Sequence, residues 1–334
     1  MKFLRNILII VVPIYFIIIW VRNVLYDLGI IASRSYDLPI ICVGNLSVGG
    51  TGKTPMIEYI IRLIQNDYKV ATLSRGYKRK STGFQLAGEG SSAETLGDEP
   101  FQFYSKFKSI TVSVDGNRRR GIASLLSKSD SPEVILLDDA FQHRKVKAGL
   151  NILLTTYDEL YVDDMLLPTG NLREPGSGAK RAHIIIVTKC PKSLKTNEKE
   201  QLRKKLRVRP HQQLFFSRIS YSDFIYGRNT ERSIYDLKAM DFTLVTGIAN
   251  PRPLLDHLKG LDLNFDHLEF NDHHIFSEKE LEMIGAKPIV LTTEKDYVRL
   301  KDAIQKDHLF YLPIETKLDK GDEFESLIRT FIGS

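Results

Sequence analysis

The chain has 334 residues, with 47 lysines and arginines against 41 aspartates and glutamates, a formal net charge of +6, and hydrophobic and charged fractions of 43% and 26%. Those proportions are those of a globular protein and exclude a disordered, collagenous or disulfide-stapled chain. The length is comfortable for two α/β domains, and the two cysteines, Cys42 and Cys190, in or beside predicted strands, read as core thiols in a reducing compartment.

Residues 7–21 are apolar throughout, flanked by Arg5 and Arg22 and containing Pro13. As a helix the run is about 22 Å long, short of a ~30 Å hydrocarbon core. No small-x-small cleavage site follows, which argues against a secretory signal. Residues 1–30 are therefore expected to form a membrane anchor that lies in the interface or dips into it. A span extended by Val24 and Leu25 and a buried packing helix are the other arrangements open to this segment.

An apolar strand over residues 39–43 then runs into Ser47-Val48-Gly49-Gly50-Thr51-Gly52-Lys53-Thr54, and a helical pattern with Ile57, Ile60, Ile61 and Ile64 leaves it. That context makes a phosphate-binding loop. Its glycines let successive backbone N–H groups face one anion, Lys53 reaches the β- and γ-phosphates, and the Thr54 hydroxyl suits Mg²⁺. Ser47 stands where the usual pattern has glycine, and Val48 where one group of dimerising regulatory ATPases has lysine.

Further strands are expected at residues 70–73, 110–114, 134–137, 151–154 and 184–188, between polar or helical stretches. The run at 134–137 is continuously apolar, as in a doubly covered parallel strand, and ends in Asp138-Asp139, the acid a Mg²⁺ site needs beside the loop strand. Residues 87–95 read as a loop and the lysine-rich 192–205 as an exposed helix. A second series of strands follows at 214–219, 242–246, 265–269, 289–292 and 309–312. The expected fold is α/β: a P-loop NTPase-like doubly wound sheet over residues 31–182, a second, smaller α/β domain over 183–334 that contributes to the cleft, and an N-terminal membrane-associated helix over 1–30.

Three polar segments look composed for a site. They are Gly97-Asp98-Glu99-Pro100, the stretch from Leu167-Pro168-Thr169-Gly170 to Leu172-Arg173-Glu174-Pro175, and Asn271-Asp272-His273-His274. An acid with a histidine makes a general base with an orienting partner. His267, Asp272, His273 and His274 also invite a metal reading, but their spacings match no zinc signature. Basic residues cluster at 78–80, 118–120, 144–145, 180–181 and 203–209. Without interleaved aromatics or a recognised module they suit an anionic membrane surface and a phosphorylated substrate better than nucleic acid.

Taken in order, SVGGTGKTP, LSRGYKRK, GDEP, DDAFQHR, LLPTGNLREP, VTGIANP, DHHIF and TEKD resemble the tetraacyldisaccharide 4'-kinases, which phosphorylate the lipid A precursor. The likeness runs from the N-terminal apolar segment to about residue 300; Ser47 matches the family's own departure from the loop pattern, and Ala140 stands where many members have glycine. The resemblance implies transfer of the γ-phosphoryl of ATP to the 4'-hydroxyl of a tetraacyldisaccharide 1-phosphate at the cytoplasmic face of a Gram-negative inner membrane. It implies that Lys53 and the loop 47–54 hold the phosphates, and that Thr54, Asp138 or Asp139, and Glu174 arrange Mg²⁺. A catalytic dyad maps onto Asp98 and His273, with His274 fitting the spacing as well, and Arg75, Tyr77, Arg119 and Arg173 are candidates to touch the lipid. No obligate protein partner is implied. The competing class is a membrane-associated regulatory or assembly ATPase without a lipid acceptor, against which Val48 weighs.

Overall fold

The computed structural model describes residues 12–272, 274–304 and 307–333. In chain order the elements that frame the site are α1 (Val12–Asp27), β1 (Ile40–Asn45), α2 (Lys53–Ile64), β2 (Val70–Ser74), β3 (Gln85–Leu86), α3 (Ala93–Leu96), α4 (Asp98–Lys106), β4 (Thr111–Val114), α5 (Arg118–Leu126), β5 (Val134–Asp138), β6 (Leu150–Thr156) and β7 (Ile184–Thr188). They are followed by α6 (Thr196–Lys205), β8 (Gln213–Tyr221), β9 (Phe224–Tyr226), β10 (Glu231–Ser233), β11 (Phe242–Thr246), α7 (Arg252–Gly260), β12 (Phe265–Glu269), α8 (Glu278–Gly285), β13 (Val290–Thr293), α9 (Glu294–Leu300), β14 (Leu309–Leu312), β15 (Ile314–Leu318) and α10 (Gly321–Gly333).

Nine strands form one sheet in the order β15-β8-β7-β6-β1-β5-β2-β4-β3. Its interior is parallel and only the edge strands β15 and β3 run antiparallel. Strand β1 lies between β5 and β6, with Val43 opposite both Asp138 and Ile152. That register carries the end of β5 to the end of β1, where the glycine loop starts. All six residues of β1 are buried because both faces are covered. Side chains alternate between two cores: Ile40, Cys42, Ile135 and Leu137 enter one, Ile41, Val43, Val134 and Leu136 the other. On α2, Met56, Ile57, Ile60, Ile61 and Ile64 are fully buried in the second core, at roughly 1.5–3 kcal/mol of transfer free energy each. The helix that follows the loop is thereby fixed on the sheet.

The second sheet has six strands in the order β10-β9-β14-β13-β11-β12, with its own cores around Leu244, Leu291 and Phe310 on one side and Val245, Val290 and Leu309 on the other. It draws only on residues 222–313. The expected boundary between residues 182 and 183 is therefore corrected: β7 and β8 extend the large sheet, and the chain returns to it through β15 and α10, whose Phe324, Ile328 and Ile332 join the core under α2. Apolar strand runs read alike in either sheet, and the polar α6 has the composition of a linker without being one.

Helix α1 presents Ile14, Phe16, Ile17, Ile18, Trp20 and Val21 to solvent, each 41–61% exposed. Its other side is pinned: Tyr15 donates to the Arg173 carbonyl (2.9 Å), Arg22 to the Gln142 carbonyl (2.6 Å) and Asn23 to Glu174 (3.2 Å). Part of the expected anchor, residues 1–11, lies outside the described residues, and no described helix is long and apolar enough to cross a membrane.

Phe324, fully buried, meets Phe215 of β8 edge-on at 5.4 Å and Tyr59 of α2 at 5.9 Å. Phe324→Ala should cost about 3–5 kcal/mol of stability in urea unfolding. A loss under 1 kcal/mol would mean that α10 is not part of the large core.

Candidate active site

The glycine loop is held from three sides. Asn45, at the end of β1, donates through Nδ2 to the Thr51 hydroxyl (2.8 Å), Thr188 at the end of β7 donates to the Thr51 carbonyl (2.8 Å), and the Val48 amide donates to the Asn171 carbonyl (2.8 Å). Ser47 bridges to Leu172. Gly49 and Gly52 adopt φ of 109° and 88°, which side-chain-bearing residues rarely take, and a Cβ on Gly49 or Gly50 would meet only open space. The glycines are thus required for backbone conformation on the open face of the loop. Helix α2 begins at Lys53 with no side-chain cap, so its first amides and dipole are directed at an anion site, with the half-buried Thr54 in the first turn.

At the tip of β5 the two aspartates diverge. Asp139 takes a left-handed φ of 47° and accepts from Arg173 (2.9 Å), with Lys53 Nζ 3.8 Å from its carboxylate. Burial opposes ionisation, but Lys53, Arg173 and Arg118 together hold it below the usual carboxylate range. Asp138 is 3% exposed, accepts from the Ser74 hydroxyl (3.1 Å), and has its carboxyl pushed up to about 7 by burial, then by the neighbouring charges of Glu99 and Asp139, against Lys53 and Arg118. One tip therefore carries one firmly ionised acid and one poised near neutrality. Buried Arg118 braces it by donating to the Asp138 and Asp115 carbonyls.

Asp98 and Glu99 open α4, and the Glu99 charge is among those that push the Asp138 carboxyl up. Of the expected Mg²⁺ ligands, Thr54, Asp138 and Asp139 carry the hard oxygens that ion prefers. Glu174 leaves that set. It is 1% exposed, its Oε1 accepts from Arg181 (2.6 Å) and Gln142 (3.0 Å), and its Oε2 accepts from Asn23 (3.2 Å). Burial with an arginine partner gives it a structural task between α1 and the 173–181 segment. Arg173, expected at the disaccharide or its 1-phosphate, donates to the Asp139 carboxylate (2.9 Å) and the Asn45 carbonyl (3.1 Å).

His273 lies outside the described residues. His274 is engaged: its Nε2 lies 3.0 Å from Glu280 and its ring packs on Phe270 (4.9 Å) and Phe276 (5.1 Å). His267 bonds Thr246 and Asp272 pairs with Lys295, so these groups do not converge, and no metal-holding cluster of His, Cys, Asp and Glu occurs among the described residues. Arg75, Tyr77 and Arg119 are exposed. Arg75 stands near His143, whose ring is kept neutral, down to about 4, by burial and by Arg118, Lys145, Arg22 and Arg75. Its Nε2 is buried without a hydrogen-bond partner among the described residues. Positive charges from four separate places along the chain thus act on one neutral ring. No local spacing marks His143, because residues 22, 75, 118 and 145 are far apart in the sequence.

A family profile described as Tetraacyldisaccharide-1-P 4'-kinase matches residues 4–333. The chain belongs to that family. It is 54% identical over 99% of its length to a tetraacyldisaccharide 4'-kinase of Flavobacterium johnsoniae, covering 98% of that protein, and 45% identical over 96% to one of Bacteroides thetaiotaomicron, covering 91% of it. The solved structure of LpxK from Aquifex aeolicus in complex with ATP superposes with a TM-score of 0.80 at 31% identity, covering 98% of this chain and 99% of that one. The family resemblance seen in the ordered motifs and the doubly wound architecture of the loop domain are both upheld.

Because the Asp138 carboxyl titrates at about 7 in the fold against 3.8 for a free one, the folded protein holds a proton that the unfolded chain releases. Its contribution is therefore favourable below about pH 4 and is lost as pH rises to 7. Asp138→Asn should raise the melting temperature of the ligand-free protein at pH 8, by about 2–4 °C for each kcal/mol regained, and the gain should vanish near pH 4. A variant less stable than wild type at pH 8 would show that the carboxylate is not strained.

Proposed function

We propose that this chain transfers the γ-phosphoryl group of ATP to the 4'-hydroxyl of a tetraacyldisaccharide 1-phosphate, the kinase step that completes the diphosphorylated lipid A core, at the cytoplasmic face of a Gram-negative inner membrane. The observation that carries the reading is the glycine loop with its uncapped helix start, where Lys53 Nζ lies 3.8 Å from the Asp139 carboxylate at the β5 tip.

Bound Mg²⁺-ATP supplies the transferable phosphoryl group and the divalent charge that screens it. Lys53 and the amides of the loop 47–54 orient the β- and γ-phosphates. Thr54, Asp138 and Asp139 would offer the hard oxygens to Mg²⁺, and Arg173 keeps Asp139 in place. Asp98 accepts the proton of the sugar hydroxyl as its oxygen attacks, with His273 as the partner that orients or tunes it. A cationic wall of Arg22, Arg75, Arg118 and Lys145, whose charges act on His143, suits the anionic 1-phosphate, and the exposed Tyr77 and Arg119 are further candidates to touch it. A four-chain lipid leaves a bilayer at a cost of ~0.8 kcal/mol per CH₂, so the enzyme must work at the surface. The outward apolar side of α1 beside that wall fits an anionic membrane.

Purified protein in detergent, given Mg²⁺-ATP and tetraacyldisaccharide 1-phosphate, should yield by mass spectrometry a lipid with a second phosphate. Asp98→Asn should lower kcat about 10²–10⁴-fold, and Lys53→Ala should be more damaging than Arg119→Ala. ATP consumed without phosphorylated lipid would favour the regulatory ATPase. Phe16→Asp with Trp20→Asp should reduce turnover on vesicle-borne substrate while sparing turnover in detergent; equal loss in both would remove α1 as the membrane-facing element.

A further inference from the structure

Two motifs remain without a task in the chemistry above, VTG at the end of β11 and TEKD at the start of α9. Both belong to the smaller sheet, and both lead to one residue. The Arg299 guanidinium forks onto the Asp98 carboxylate, through Nε at 3.3 Å to one oxygen and through NH2 to the other. Asp98 and Arg299 are 201 residues apart and sit in different sheets' territory. Asp296, fully buried, stands behind the arginine: it lies 3.4 Å from Arg299 NH1 and accepts from the Gly247 amide (2.8 Å) and the Thr293 hydroxyl (2.8 Å). A Cβ on Gly247 would come within 2.9 Å of Asp296, so glycine is needed there for the close approach.

The fork is one end of a longer clamp. Helix α9 lies against α4 with its ends reversed, so that Glu294 meets Lys106 at the far end of α4 while Lys106 also binds Glu58 of α2 (2.7 Å). Between the two charged ends, Val298 packs with Phe101, Leu96 and Val114. A helix fixed at both ends and along its middle has little freedom to slide or turn, and Asp98 opens that helix.

We propose that Arg299 is a positioning residue for the phosphoryl transfer: carried by the smaller unit, it sets the Asp98 carboxylate in its reactive orientation and so couples docking of that unit to assembly of the base. The proposal rests on the reading of Asp98 as the proton acceptor. Arg299 acts through Asp98 without touching the reacting atoms, and a planar fork onto a carboxylate fixes direction as well as distance.

The test uses full-length protein in detergent with Mg²⁺-ATP and tetraacyldisaccharide 1-phosphate, comparing wild type, Arg299→Met, Arg299→Lys, Asp98→Asn and the Arg299→Met/Asp98→Asn double variant. Arg299→Met should lower kcat by about 10²-fold, the scale of a 1 Å misplacement, with KM for ATP changed less than about twofold, and Arg299→Lys, which keeps the charge without the planar fork, should recover only part of the loss. In the Asp98→Asn background, Arg299→Met should add little. The inference is overturned if Arg299→Met keeps kcat within about twofold of wild type while Asp98→Asn is impaired. It is equally overturned if its loss adds in full to that of Asp98→Asn, or if Arg299→Lys turns over as fast as wild type. An active Asp98→Asn removes both the base and its positioning residue, whereas wild type that leaves the lipid unphosphorylated removes the kinase reading itself.

Discussion

Two adjacent aspartates at the end of one buried strand impose a charge problem that the surrounding architecture is arranged to meet. Carboxylates taken out of water are costly unless cations and hydrogen bonds replace the solvent. Here the cations arrive from three separate places: Lys53 from the glycine loop, Arg173 from the segment after residue 167, and Arg118 from the start of α5. The balance is incomplete by construction. Cations hold Asp139 ionised, whereas burial and the charges of Glu99 and Asp139 push Asp138 up. That deficit is what the Mg²⁺ proposed above would offset.

Everything that shapes this point follows from the register of β1, β5 and β6. Parallel strands paired in step end together, so the loop after β1, the acids after β5 and Thr188 after β7 lie along one edge of the sheet. That edge is also where α1 attaches. Its polar side is tied to the Arg173 and Gln142 carbonyls and to Glu174, which leaves its apolar side outward and sets Arg22 near His143. Helix α1 and the 173–181 segment are therefore built as one unit, and Glu174, buried with Arg181, is the joint.

The smaller sheet touches this machinery mainly through one short helix. The contact of α9 with α4 combines two ionic ends and an apolar middle. Ion pairs supply direction and the apolar contacts supply most of the adhesion. Such a joint is specific in register, which suits a unit whose role is to present a side chain at a fixed place.

The loop 47–54, the strand that feeds it, the acids at 138–139 and the GDEP segment were legible in the sequence, because each is a local pattern in which spacing along the chain dictates geometry: a strand tip, a tight glycine turn, a helix start. The alternation of apolar strands and the helical spacing after the loop likewise settled the doubly wound class. Tertiary structure alone decided the rest. It assigned residues 183–221 and 314–333 to the large sheet and the helix packed on it, turned Glu174 inward to Arg181, tied Arg173 to Asp139, engaged His274 with Glu280, and joined Asp98 to Arg299. The physical reason is common to all of them. An ion pair or a sheet edge between residues tens to hundreds of positions apart depends on how packed layers close on one another, and that closure leaves no periodicity in the chain to read.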